Sequence, residues 1–258
     1  MAEGTGEPIF LSVAIPAYNE ASCIAESLRR VTAYLSLKGR PWEILVSTDG
    51  STDGTDDAVR AFAASRPAGQ VRLLVSEVNR GKGAAVRRAV LSASGRYVLV
   101  TDADLSAPIK ESDKLLAALD EGHDVAIGSR GIRKAGCDVR QSFKRRLSGR
   151  VFNAFVRVLI LDGFRDTQCG FKCFRREAAQ ALFKEQKVDG FAFDVETLYL
   201  AVRKGLRVKE VPVMWSQGRD SKVRLLRDSF SMVGQLFFLR DHYRRHPVSV
   251  SKALDNGH

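Results

Sequence analysis

Apolar and polar positions fall into alternating blocks along the first half of the chain. Apolar runs at Phe10–Ala17, Trp42–Thr48, Val71–Ser76, Tyr97–Asp102 and Asp124–Ser129 have the length and bounding residues of buried strands. The segments between them carry helical spacing. Ser22–Lys38 places Ile24, Leu28, Val31 and Leu35 on one face, and Asp56–Ser65, Lys82–Ser94 and Pro108–Glu121 continue the alternation. Thr55 is expected to cap the second of these helices through its hydroxyl. Short apolar strands separated by helices predict a mostly parallel sheet covered on both faces. Ligands in such α/β sheets bind beyond the C-terminal strand ends. Three polar clusters fall at those ends: Tyr18-Asn19-Glu20, Asp49-Gly50-Ser51 and Asp102-Ala103-Asp104.

The second half is less regular. Arg146–Leu161 has helical spacing, Phe171–Phe174 reads as a strand, and Arg176–Lys184 and Asp194–Lys204 read as helices. Val208–Trp215 looks like a further strand. From Ser221 to Arg245 the pattern is one long helix, with Leu225, Leu226, Phe230, Val233, Leu236, Phe237 and Phe238 flanked by Arg and Lys. Its apolar face fits either the sheet or a membrane interface with Arg240, Arg244 and Arg245 on anionic head groups. The predicted organisation is a disordered stretch over 1–8, one α/β domain over 9–222, an amphipathic helix over 223–246 and a disordered tail over 247–258.

Composition narrows the partners. The 258 residues carry a formal charge of +11, and between Arg130 and Arg157 nine Lys/Arg face a single acid, Asp138. Such an excess favours phosphorylated ligands or acidic surfaces. Nucleic acid is not expected: no aromatic platform or recognition helix accompanies the charge, and the acidic strand ends would repel a phosphate backbone unless a cation intervened. The four cysteines (Cys23, Cys137, Cys169, Cys173) form no C-x-x-C pair and have no histidine nearby, which argues against zinc and for reduced thiols in the cytoplasm. The N-terminal residues do not read as a signal peptide, and no apolar run approaches the ~20 residues of a membrane span.

The D-x-D at 102–104 is the sharpest chemical signal. Two carboxylates one residue apart at a strand end can share a hard cation, Mg²⁺ or Mn²⁺, whose shell phosphate oxygens complete. Asp49 is expected to project into the crevice and accept from a nucleobase N–H. Asn79-Arg80-Gly81-Lys82-Gly83 matches neither the ATPase nor the dinucleotide glycine spacing, yet a helix starting near Lys82 would still offer N–H groups to an anion.

In order and spacing, Val13–Glu20, Asp49–Thr55, Asn79–Gly83 and Asp102–Asp104 resemble the successive signatures of the family 2 glycosyltransferases. Asp166-Thr167-Gln168-Cys169-Gly170-Phe171-Lys172, Ala192–Glu196 and the segment Val211–Val223 are similar to the dolichyl-phosphate β-glucosyltransferase group of that family. The resemblance spans about residues 10 to 240. Thr48 stands where relatives commonly carry Asp, and Ser106 where related mannosyltransferases carry a Gln that can ligate metal.

The resemblance implies a GT-A fold, a nucleotide-sugar donor (UDP-glucose), a polyprenyl phosphate acceptor and an inverting in-line displacement. It implies that Pro16, Tyr18 and Glu20 border the nucleoside, Asp49 the base, and Lys82, Asp102, Ala103 and Asp104 the sugar diphosphate. Asp102 and Asp104 would hold the divalent cation, Asp104 as the main ligand. Arg130 would stabilise the leaving diphosphate, and Gln168 and Asp194 would line the sugar pocket. Arg146 and Lys222 would receive the acceptor phosphate. Asp194 would act as a base only for a hydroxyl acceptor, because an ionised phosphate has no proton to lose. Peripheral attachment to the cytoplasmic face of a membrane follows. A GDP-mannose donor, a soluble acceptor and a non-catalytic nucleotide-sugar sensor stay open at this point.

Overall fold

The computed structural model describes residues 7–132, 139–140, 156, 163–216 and 225–246. Seven strands form one sheet in the order β3-β2-β1-β4-β7-β5-β8. They are β1 (Leu11–Ala17), β2 (Trp42–Thr48), β3 (Val71–Leu74), β4 (Tyr97–Val100), β5 (Val125–Ser129), β7 (Lys172–Arg175) and β8 (Val208–Pro212). A separate parallel pair joins β6 (Val139–Arg140) to β9 (Trp215–Ser216). All neighbours in the large sheet are parallel except β7, which runs antiparallel to both β4 and β5.

The strands read as continuous apolar runs because helices cover both faces, so successive side chains are buried on opposite sides. Along β1, Val13 and Ile15 pack into one cluster and Ala14 into the other. On the Val13 side lie α1 (Ile24–Ser36), α2 (Thr55–Ala64) and α4 (Ser112–Asp120), the last following a 3₁₀ turn at Ile109–Glu111. On the Ala14 side lie α3 (Lys82–Leu91), α5 (Arg176–Glu185), α6 (Phe193–Arg203) and α7 (Leu225–Arg245). Pro16 fits inside β1 for a specific reason. Even-numbered residues of β1 face β4, whose pairing ends at Ala14, so the N–H that proline lacks has no ladder partner to lose.

Two details depart from the sequence pattern. The strand expected over Val208–Trp215 breaks after Pro212, and Trp215–Ser216 joins the small second sheet instead, where Ser216 N–H also donates to the Ser106 carbonyl at 2.8 Å. Thr55 does not cap α2. Gly54 takes the N-cap position in a left-handed conformation (φ +86°), while the Thr55 hydroxyl oxygen accepts from Glu20 N–H at 2.8 Å. Of the helix expected over Arg146–Leu161 the described residues include Val156, helical and fully buried in the core, while the disorder expected over 247–258 and most of residues 1–8 lie outside them.

Helix α7 docks on the core. Met232, Leu236, Leu239 and Tyr243 are buried against the α6 side of the sheet, at the spacing of one helical stripe. Each such apolar side chain contributes about 1.5–3 kcal/mol by leaving water. The opposite side exposes Phe237 and Phe238, at 53% and 50%. Among the described residues, no helix is long and apolar enough to cross a membrane.

Candidate active site

Four loops meet at the C-terminal edge of the parallel strands. Two of them are clipped together by side chains. Asn19 N–H donates to Ser51 Oγ at 3.0 Å, Thr52 N–H donates to Asn19 Oδ1 at 2.7 Å, and Ala21 N–H donates to Asp53 Oδ2 at 3.0 Å. Asn19 holds the left-handed φ of +54° that this turn requires, a conformation asparagine tolerates better than most residues. The clip leaves Tyr18 at the rim, 42% exposed, and Glu20 half-buried, its carboxylate accepting from the Cys23 thiol at 3.2 Å. Pro16 and Ala103 are buried beneath this rim.

Asp49 does not project into the crevice as the sequence suggested. It is buried, and its carboxylate accepts from Arg80 N–H at 3.1 Å and Gly81 N–H at 2.7 Å. The physical reason is the turn before α3, whose backbone donors face inward and need an acceptor. Gly81 is obligatory in that turn. Its φ is +116°, and a Cβ there would lie 2.4 Å from the Asp189 carbonyl oxygen.

The turn delivers Lys82 to the D-x-D. Its ammonium donates to Asp102 Oδ1 at 2.6 Å. Burial disfavours the Lys82 charge, but the Asp102 and Asp194 carboxylates outweigh it and raise its pKa above the ordinary lysine value. Asp102 is held below the usual carboxylate range: burial opposes this, and Lys82, Lys172 and Arg130 overcome it. Asp104 shifts the other way, pushed up by burial and by Asp102. Its carboxylate accepts from the Ser106 hydroxyl, 2.8 Å from both oxygens, and from Ser106 N–H at 2.9 Å. Ser106 therefore orients Asp104, in the place where a longer side chain would reach a metal.

The far wall comes from the loop before β7. Arg130, just past β5, donates from Nε and Nη2 to the two oxygens of Asp166 at 2.7 and 2.9 Å, and its N–H donates to Oδ2 at 2.9 Å. The guanidinium lies 5.2 Å from the centre of the Trp215 ring. Arg130 thus braces the loop through Asp166. A buried Asp166 carrying three such bonds requires a fixed partner. Asp166 Oδ1 also accepts from Gln168 N–H at 3.2 Å, and the Gln168 amide contacts the Met232 sulfur of α7 at 3.8 Å. Burial pushes the Cys169 thiol up to about 11, so it is an inert packing group.

Residue type alone does not assign Lys172 to the site, although a lysine within Phe171-Lys172-Cys173-Phe174 interrupts an apolar strand. Because β7 is antiparallel, its first residue lies at the same sheet edge as the last residues of β4; Lys172 pairs with Val100. Its side chain shares a face with Phe174, the face that carries α6. There it ion-pairs with Asp194, in the first turn of α6, and donates to the Cys169 carbonyl. The structure thus joins Lys82, Asp102, Asp104, Lys172 and Asp194 in one cluster, and Gln168 lies on the neighbouring loop against Asp166 and Met232. Arg146 and Lys222 lie outside the described residues.

Paired carboxylates on the C-terminal edge of a mostly parallel sheet, backed by the half-buried Lys82 and the buried Lys172 and beside a two-loop clip, define a glycosyltransferase of the GT-A class. The comparisons agree. The model of glycosyl transferase family 2 matches residues 12–183. The chain is 35% identical over 245 residues to a dolichyl-phosphate β-glucosyltransferase of Dictyostelium discoideum, covering 91% of this chain and 75% of that protein. It is 38% identical over 246 residues to the Drosophila melanogaster protein of the same name, covering 90% and 75%. The fold matches glucosyl-3-phosphoglycerate synthase of Mycobacterium tuberculosis, solved with Mn²⁺, UDP and glucosyl-3-phosphoglycerate. The TM-score is 0.68 at 20% identity, over 90% of this chain and 80% of that one. The chain belongs to glycosyl transferase family 2.

Proposed function

We propose that this chain transfers glucose from UDP-glucose to a polyprenyl phosphate of the dolichyl type, inverting the anomeric carbon. The observation that carries the reading is the Asp102–Lys82 pair beside Asp104, in a chain whose relatives along nine-tenths of its length are dolichyl-phosphate β-glucosyltransferases.

The donor set suits a divalent cation bound together with its substrate. Among the described residues, no group of three or more His, Cys, Asp or Glu forms a cage. Asp102 and Asp104 would supply few protein oxygens, and diphosphate oxygens the rest, as Mg²⁺ and Mn²⁺ accept. When bound, the cation neutralises charge on the leaving diphosphate. The protein's own residues do the remainder. Lys82 stands at the N-terminus of α3, where its ammonium and the helix N–H groups favour an anion. The clipped 18–20 and 51–55 loops frame the nucleoside. Arg130 and Asp166 fix the loop carrying Gln168 against the sugar. The acceptor phosphate arrives already ionised and attacks without losing a proton. The outward face of α7, with Phe237, Phe238, Arg240, Arg244 and Arg245, would rest on acidic head groups at a membrane surface, where a polyprenyl chain is held.

The test is donor turnover with a polyprenyl phosphate in detergent, comparing UDP-glucose and GDP-mannose, with Mn²⁺ or Mg²⁺ and with chelator. Metal-dependent glucosyl-lipid from UDP-glucose is expected. Mannosyl-lipid formed from GDP-mannose alone would replace the donor and keep the chemistry. No lipid product from either, despite donor binding, would sink the acceptor.

A further inference from the structure

Lys172 is 2% exposed and Asp194 5% exposed, and the ion pair between them sits beside the D-x-D without belonging to it. Removing two charges from water is costly, and a buried pair is on average no better for stability than apolar residues of the same size. A strand position between Phe171 and Cys173, with apolar neighbours Val100 and Ile127 across the sheet, would accept an aliphatic side chain. The lysine therefore calls for a role in the site. Its ammonium donates to the Cys169 carbonyl and the Asp194 carboxylate, and its field reaches Asp102 and Asp166. Asp194 in turn faces Lys172 from β7, Lys82 from α3 and Asp102 from the end of β4.

We propose that Lys172 selects the class of acceptor. It ties up Asp194, the buried carboxylate of the cluster that is not part of the D-x-D, so that this carboxylate neither serves as a base nor repels an incoming anion. The proposal deepens the reading of a phosphate acceptor and rests on it. The chemistry separates two attacks. When water or another hydroxyl attacks, its oxygen bonds to the anomeric carbon, the bond from that carbon to the β-phosphate oxygen breaks, and UDP leaves with the electron pair. The attacking hydroxyl must also give up a proton, and a free Asp194 would take it. When a phosphate oxygen attacks, the same bonds form and break, and no proton has to move. A carboxylate left unpaired would then only oppose the phosphate by like charge. Lys172 thus acts as a positioning residue through Asp194: it suppresses loss of donor to water and keeps the acceptor site receptive to an oxyanion.

The experiment measures two products from UDP-glucose in wild type, Lys172→Met and Lys172→Gln. They are UDP released without lipid and glucosyl-lipid formed with a polyprenyl phosphate. Lys172→Gln keeps a donor for Asp194 and removes only the charge, so it carries the test if the Met variant fails to fold. The ratio of UDP release to lipid product should rise at least about 10-fold in the variants, a fraction of the roughly 100- to 10,000-fold that a well-placed general base contributes. In Lys172→Met/Asp194→Asn the extra UDP release should vanish, because the released base is gone. A parallel fall of both products at constant ratio, the signature of a merely structural role, overturns the proposal. If wild type makes no lipid product, the acceptor reading fails by itself. UDP release still decides about Lys172: a rise in the variants supports its hold on Asp194, and no rise refutes it.

Discussion

The backbone of Gly170 lies against the carboxylate of Asp102, so close that a Cβ on Gly170 would stand 2.7 Å from Oδ2 and 2.8 Å from Oδ1. The loop before β7 and the D-x-D after β4 thus share one surface, and the glycine sets their spacing.

Gly170→Ala should push the Asp102 carboxylate away from Lys82 and from the cation position. Misplacing a catalytic group by about 1 Å costs on the order of 100-fold in rate. We expect kcat/KM for UDP-glucose to fall by about that factor, with the fold retained by circular dichroism. An alanine variant within about 3-fold of wild type would show that Asp102 is free to relocate.

Ser106→Ala removes the hydroxyl that holds both oxygens of Asp104. Loss of such a supporting hydrogen bond weakens metal binding by about 10–100-fold in known sites. The direct readout is Mn²⁺ titration in the presence of UDP, followed by the paramagnetic signal of the free ion. Unchanged Mn²⁺ affinity would remove Ser106 from the orienting role. The same change should also loosen β9 little, because Ser216 is held by the Ser106 backbone carbonyl rather than by the side chain.

How much of this was legible in the sequence depends on the range of the interaction. Period and apolar length located β1 through α4 and the strand-end clusters, because those signals are local. The sequence marks Asp49 and Arg130 as site residues but does not show their partners. Asp49 is consumed by two N–H groups some thirty residues onward, and Arg130 by Asp166 after an intervening segment. Such pairings are set by tertiary approach, which residue type does not reveal. Lys172 carried a readable signal, a charge inside an apolar strand. Its partner was hidden because the reversed direction of β7 decides which end of that strand meets α6.

Stability at acid pH should depend on the Arg130–Asp166 pair. Asp166 is buried, yet Arg130 and its N–H hold the carboxyl below the usual range. The folded-state value therefore lies below the ~3.9 of an unfolded aspartate. The unfolded chain takes up the proton first, so this stabilisation is complete above the unfolded value and is lost as pH falls through the folded one. Between about pH 5 and pH 3, Tm of wild type should fall more steeply than that of Asp166→Asn, which starts lower. Parallel slopes would mean that Asp166 is not the group responsible.

The two faces of α7 should separate stability from surface attachment. On the inner face, Leu236 is fully buried, and the Tyr243 hydroxyl donates to Glu196 Oε1 at 2.6 Å. Glu196 is itself fully buried and also accepts from the N–H groups of Lys187 and Val188, both at 2.8 Å, in the turn that packs on Gly81 and Gly83. Leu236→Ala should destabilise the protein by about 2–5 kcal/mol, and Tyr243→Phe by about 1–3 kcal/mol because it strips a buried carboxylate of one donor. On the outer face, Phe237→Ser with Phe238→Ser removes no core contact and should stay within about 0.5 kcal/mol of wild type. That double variant should instead lose binding to vesicles containing acidic lipid, and Arg240→Ala with Arg244→Ala should make the remaining binding less sensitive to salt. Urea melts and vesicle sedimentation on the same four proteins decide the matter. Wild-type vesicle binding by the Phe237/Phe238 variant would place the membrane contact elsewhere on the molecule. A large loss of stability in that variant would mean that these rings cover part of the protein itself.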